Sequence, residues 1–163
     1  MKIHLERDVL ADAVTWVARS LPSRPSVPIL AGLRIEAKGD EVVFSSFDYE
    51  TSTKISVPGT VAKEGVTLVS GKMLSNIAQT LPNKPVNLEA DELRVELTCG
   101  GARFTLQTLP LAEYPELPAM PEATGTVDSA LFAQAVSQVS VAAGRDELLP
   151  VFTGVRVEID GDT

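Results

Sequence analysis

The residue types able to do chemistry are scarce in this chain and badly spaced for it. Cysteine and histidine each occur once, as Cys99 and His4. A thiolate nucleophile needs a base within hydrogen-bond reach, and nothing in the spacing brings His4 to Cys99. Cys99 ends the alternating run Val95-Glu96-Leu97-Thr98, where a small buried side chain is the expected role. The same scarcity excludes an internal disulfide and leaves a Cys/His zinc site without ligands. Gly71-Lys72 comes nearest to a phosphate-binding loop. Gly65 is separated from it by five residues where that loop has four, and Met73 stands where the magnesium-binding Ser or Thr belongs. The carboxylates form no helix-borne pair and show no metal-ligand spacing. No catalytic residue, metal ligand or cofactor is expected.

The elements that would position any site emerge from an internal repeat, and searching for self-similarity precedes motif reading for that reason. Gly32-Leu33-Arg34-Ile35-Glu36 returns as Gly154-Val155-Arg156-Val157-Glu158, an offset of 122 residues. The same offset carries Leu10, Ala11, Ala13, Val14 and Val17 onto Phe132, Ala133, Ala135, Val136 and Val139. It also sets Pro28 against Pro150 and Gly39-Asp40 against Gly161-Asp162. The unit reads as strand, helix, Pro-rich loop, strand: Ile3 to Glu6, Asp8 to Ser20, then Ile29 to Ala37. Apolar residues at 10, 13, 14, 17 and 21 follow helical spacing, with Asp8 as the expected N-cap. Alternating runs at Glu41 to Phe47, Thr51 to Val57 and Val66 to Val69 predict strands. Ser70 caps a second helix whose stripe is Leu74, Ile77, Ala78 and Leu81. Strands near Val86 to Glu89, Leu93 to Leu97 and Arg103 to Leu106 complete the copy.

Four prolines between Pro110 and Pro121 predict an extended, semi-rigid connector and a boundary between residues 1–119 and 120–163. The second copy stops just past its Gly161-Asp162 turn, so it is expected to be truncated, to lack a partner for its last strand, and to be less stable than the first.

Composition narrows the function classes. With 163 residues, 44% hydrophobic and 22% charged, the chain can bury a core, and no apolar run is long enough to cross a bilayer. The alternating Met1-Lys2-Ile3-His4-Leu5-Glu6-Arg7 reads as a strand and not as an export signal; with the lone cysteine it fits a reducing, cytoplasmic setting. A net charge of −8 ordinarily argues against a polyanionic partner. The deficit nevertheless falls on strands and loops. The first helix holds Arg7 and Arg19 against Asp8 and Asp12, the second only Lys72, and the repeat of the first none. Ser75, Asn76, Gln79, Thr80, Gln134, Ser137 and Gln138 are expected to form a weakly polar wall that phosphates can approach without base readout.

Several local motifs then add specificity. Arg24-Pro25-Ser26-Val27-Pro28-Ile29-Leu30, Ser46-Phe47-Asp48-Tyr49-Glu50, Phe104 to Pro110 and Tyr114-Pro115-Glu116-Leu117 resemble, in order and spacing, the first domain of the bacterial β sliding clamp family, the β subunit of DNA polymerase III. Leu81-Pro82-Asn83-Lys84-Pro85 and Ala143-Gly144-Arg145-Asp146 look most like actinobacterial members. The resemblance implies an α+β DNA clamp (processivity) fold of repeated two-helix domains with antiparallel sheets, helices facing the interior of a ring. It implies a non-catalytic homodimer when full length, encircling double-stranded DNA and holding the replicative polymerase, the clamp loader and other clamp-binding proteins. By position it implies DNA contacts at Arg24, Arg145, Arg19 and Arg7, although strict register sets Asp146, not Arg145, opposite Arg24. Lys72, Phe104 and Leu106 match the family's subunit interface. Leu149 and Phe152 fall where its partner-peptide groove begins, at positions where other members often carry Arg and Leu. A non-enzymatic repeat scaffold that binds protein partners through its sheets is the alternative reading.

Overall fold

The computed structural model describes residues 1–163 except Thr124, Glu147, Asp160, Asp162 and Thr163. The chain divides into two units, Met1–Ala119 and Met120–Thr163.

In the first unit, strand β1 (Lys2–Leu5) leads into helix α1 (Arg7–Ala18). The helix begins two residues earlier than an Asp8 cap would set it: Glu6 is the N-cap, and its carbonyl accepts the Leu10 amide at 3.1 Å. Asp8 lies in the first turn, where its charge favours the amide-rich helix end. A 3-10 turn at Pro28–Ala31 replaces the beginning of the expected strand, because Pro28 supplies no amide to a sheet ladder. Strands β2 (Gly32–Lys38), β3 (Glu41–Phe47), β4 (Ser52–Pro58), β5 (Thr60–Lys63) and β6 (Gly65–Ser70) follow. Helix α2 (Gly71–Thr80) starts at Ser70, whose hydroxyl accepts the Met73 amide at 3.4 Å. Strands β7 (Val86–Ala90), β8 (Arg94–Cys99) and β9 (Ala102–Gln107) end the series.

All pairings are antiparallel, in a five-stranded sheet ordered β5-β1-β7-β8-β9 and a four-stranded sheet ordered β4-β3-β2-β6. A bridge between Val69 and Thr108, with the Leu109 amide on the Leu68 carbonyl at 2.7 Å, ties the two sheets at one side. α1 packs on β3 and β4, α2 on β6 and β9, and the helices pack on each other. One core results, built from Leu10, Val14 and Val17 of α1, Leu74 of α2, and the inward residues Ile3, Leu33, Ile35, Phe44, Leu88 and Leu97 of both sheets. The burial of every second residue along β8 records the two-residue period of a strand with one wet face.

Two expectations about this unit are corrected. Ser75, assigned to the polar wall, is buried, and only its neighbours Asn76, Gln79 and Thr80 reach solvent. The connector is not simply extended. It turns through Leu111–Glu113 and buries Tyr114, whose hydroxyl accepts the Phe47 amide at 2.8 Å and donates toward the Gly32 carbonyl at 3.3 Å. Burial lifts the Tyr114 phenol above its ordinary pKa, while the Phe47 amide acts in the opposite sense.

The second unit holds helix α3 (Ser129–Ser140) and a 3-10 turn at Pro150–Phe152. The offset of 122 residues survives in three dimensions. α3 begins and ends at the counterparts of the α1 boundaries, Gly39 and Gly161 both have φ +59°, and the ion pair Arg34–Glu36 recurs as Arg156–Glu158. The two strands expected in this copy do not form among the described residues. A strand is defined by its pairing partner, and none is described for either segment.

Candidate nucleic-acid interface

The sequence leaves the outward faces of α1 and α2 as the surface to examine. Arg7 at the start of α1 meets the Gln79 carbonyl near the end of α2, so the helices run antiparallel. That carbonyl belongs to the last turn of α2, where in-helix donors run out, and the guanidinium satisfies it. Arg7 also donates to Asp8 at 2.7 Å and is only partly exposed. Two of its donors are therefore engaged within the unit, and Arg7 is less open to a phosphate than Arg19. Beside it runs a trough floored by Ala11 and Thr15 and walled by Asp12, Trp16 and Arg19. Arg19 is exposed and, among the described residues, forms no ion pair.

Beyond the end of α1 the loop carrying Arg24 bends against the start of α2. Pro22, Ser23 and Pro25 share a second depression with Ser70, Lys72 and Asn76. Gly71 permits this approach, since a Cβ there would stand 2.3 Å from Leu21 Cδ1. Arg24 and Lys72 are exposed and, among the described residues, unpaired. The structure thus brings Arg19, the Arg24 loop and Lys72 to the helical side of the unit, where a guanidinium held on a short Pro-flanked loop can meet a phosphate. Trp16 was missed in the sequence, although its place outside the 10, 13, 14, 17 stripe marks it as outward; it is 46% exposed.

Other predicted positions separate. On β9 the side chains of Phe104 and Leu106 point to the core. Phe104 is half-buried, but Leu106 is enclosed at 1% exposure. Alternation along β9 turns Leu106 inward, so what a neighbour can reach directly in this unit is Phe104 and the strand's own backbone edge, since β9 is terminal in its sheet. In the second unit Arg145, Leu149 and Phe152 are all exposed, on a loop closed by the Gly144 amide donating to the Phe152 carbonyl at 2.7 Å.

His4 and Cys99 lie on opposite faces of the five-stranded sheet. His4 Nδ1 is 2.9 Å from Asn87 Oδ1 on the wet face, and Cys99 is buried with its Sγ near the Pro82 and Lys84 carbonyls at 3.2 and 3.1 Å. No nucleophile–base pair is assembled from them. Among the described residues no group of three or more His, Cys, Asp or Glu side chains is placed to hold a metal ion, and no helix is long and apolar enough to cross a membrane.

A helix pair with a polar outer face, two antiparallel sheets behind it and a second copy of the leading helix define an α+β repeat module with the DNA-clamp fold. The chain belongs to the family described as DNA polymerase III beta subunit, N-terminal domain, whose model matches residues 1–118. It is similar along its whole length to the beta sliding clamps of Streptomyces coelicolor, 57% identical, and Micrococcus luteus, 50% identical, covering 43% and 53% of those proteins. The chain therefore spans about half the length of the curated relatives it matches. The DNA polymerase sliding clamp of Bacillus subtilis superposes with a TM-score of 0.84 at 27% identity, over 93% of this chain and 42% of that one.

Proposed function

We propose that this chain is the first domain, residues 1–119, and the opening of the second domain, residues 120–163, of a DNA sliding clamp. In this reading the module does no chemistry. It takes part in a dimeric ring that encircles duplex DNA and keeps a replicative polymerase on its template, in the cytoplasm. The observation that carries it is the helical side of the unit, where Arg19, Arg24 and Lys72 stand exposed and α2 carries no acid, while most acidic residues, Asp8 and Asp12 of α1 apart, lie on strands and turns.

Weak, sequence-independent attraction suits a surface that must move along DNA. A few phosphate contacts give binding that falls steeply with salt, and side chains that read no base edge impose no stopping point. Arg24 and Arg19 are the contacts proposed for the first unit and Arg145 for the second. The backbone edge of β9, with Phe104 and Lys72, is the proposed subunit contact, and the loop bearing Leu149 and Phe152 is the proposed start of a groove for partner peptides of the polymerase and clamp loader.

Topology gives the decisive test. Full-length protein loaded on circular DNA should be retained through a salt wash and lost when the circle is cut. Retention that survives linearisation would show ordinary binding and overturn the ring. Arg24→Ala in the full-length protein should reduce processive synthesis while leaving the protein folded.

A further inference from the structure

The α1 trough holds an aromatic side chain that phosphate binding alone does not use. Trp16 stands 46% exposed beside Arg19, with buried Ala11 and partly buried Thr15 flooring the trough next to it and Gln79 also lining it. About half of the indole is open to solvent, and the large side chains of α1 that seal the core, Leu10, Val14 and Val17, lie elsewhere on the helix. The charge of the trough is nearly balanced, because Asp12 lines it and Asp8 holds Arg7. Attraction for a phosphate chain is therefore weak there, and a flat apolar face beside one free guanidinium is what remains.

We infer that Trp16, with Arg19 beside it, forms a stacking platform for an unpaired nucleotide, giving the α1 face affinity for single-stranded DNA separate from its contacts to the duplex. The chemistry selects the single strand. A duplex hides its base faces in the stack and offers the indole only its backbone, whereas an unpaired base of any identity presents a π-face. Arg19 is placed to meet the adjoining phosphate, and the trough floor, lacking bulky side chains, leaves clearance for a ring. At a junction between duplex and single strand, such a platform would hold the first unpaired template base while the phosphates of the duplex meet Arg24. The inference rests on the DNA reading given above.

The chain contains one tryptophan, so its emission reports on this position alone. Titrating the 163-residue chain at low salt with an oligothymidylate should quench Trp16 fluorescence, and a duplex of equal length should quench it far less. Trp16→Ala should weaken oligothymidylate binding, followed by anisotropy of a labelled strand, about tenfold, with duplex binding changed less than twofold; Trp16→Phe should retain part of the affinity. Single-strand binding that persists unaltered in Trp16→Ala, or equal losses for both DNA forms, overturns the platform and leaves the clamp reading standing. Absence of oligothymidylate binding likewise overturns the platform, while the clamp reading is decided separately by retention of the full-length protein on circular DNA.

Discussion

α1 and α3 occupy equivalent places in the repeat and share its apolar stripe, and they differ most in what lies against that stripe. Their boundaries coincide at an offset of 122 residues. Leu10, Val14 and Val17 in α1 are wholly buried, while their counterparts Phe132 and Val139 are 47% and 50% exposed and Val136 is half-buried. Among the described residues of 120–163 no side chain is buried at all. Where a helix starts and stops is thus decided locally, by caps and periodicity. How much that helix stabilises is decided by the strands and the second helix that cover it, which in the first unit come from residues 41–107. Even the caps differ in keeping with this. Glu6 makes no side-chain cap bond, whereas Asp128 at the same repeat position accepts the Leu131 amide at 2.8 Å. The helix without cover has the better cap.

Truncating the matched core positions should give the largest contrast. Leu10→Ala should cost about 2–5 kcal/mol through the lost transfer energy and the cavity left behind, read from urea unfolding of the first unit. Phe132→Ala should leave that transition within about 0.5 kcal/mol, as expected for a surface change. Similar losses would mean that α3 is packed in solution. Hydrogen exchange supplies the companion measurement: α1 amides should exchange only on opening of the whole first unit, and α3 amides much sooner.

Tyr114→Phe asks how much of the first unit depends on its connector and not on the helix-covered core. Removing the hydroxyl leaves the Phe47 amide without its side-chain acceptor, at a cost of about 1–2 kcal/mol. The pH dependence has a definite sign. A phenol with a raised folded-state pKa binds its proton more tightly when folded, so its contribution is complete below the ordinary value of 10.0 and is lost as pH rises through the folded value. The alkaline fall in stability should accordingly be shallower in Tyr114→Phe than in the parent chain.

The smallest effect belongs to the caps. Asp128→Ala should remove about 1 kcal/mol from α3, seen as faster exchange of its first-turn amides, while Glu6→Ala should leave α1 unchanged. Equal responses would break the view that α3 leans on local signals and α1 on its surroundings.

Local signals were also what could be read without coordinates. The stripe of α1, the Ser70 cap, the limits of β3 and the repeat offset all follow from neighbouring residues, and the outward place of Arg19 and Lys72 follows from the stripes. The remainder depends on partners distant in sequence. β5 is four residues without an alternating pattern and exists because β1 pairs with it. Tyr114 is buried because acceptor and donor groups at residues 32 and 47 await its hydroxyl. Ser75 looked like a surface residue from its type, yet it is closed off. Leu106 bore a likeness to an interface position, but the pleat of β9 alone would have turned it inward.

Cys99 gives this architecture a practical handle. It is the sole thiol of the chain, it is 1% exposed, and it sits among the strands of the first unit with its sulfur turned toward two carbonyls. An alkylating reagent can reach it only when that region opens, so the rate of modification in a native buffer becomes a clock for opening of the first unit, blind to whatever the second unit is doing. The same silence lets a cysteine introduced at exposed Ser137 accept a dye selectively, placing a reporter on α3 without disturbing the native thiol.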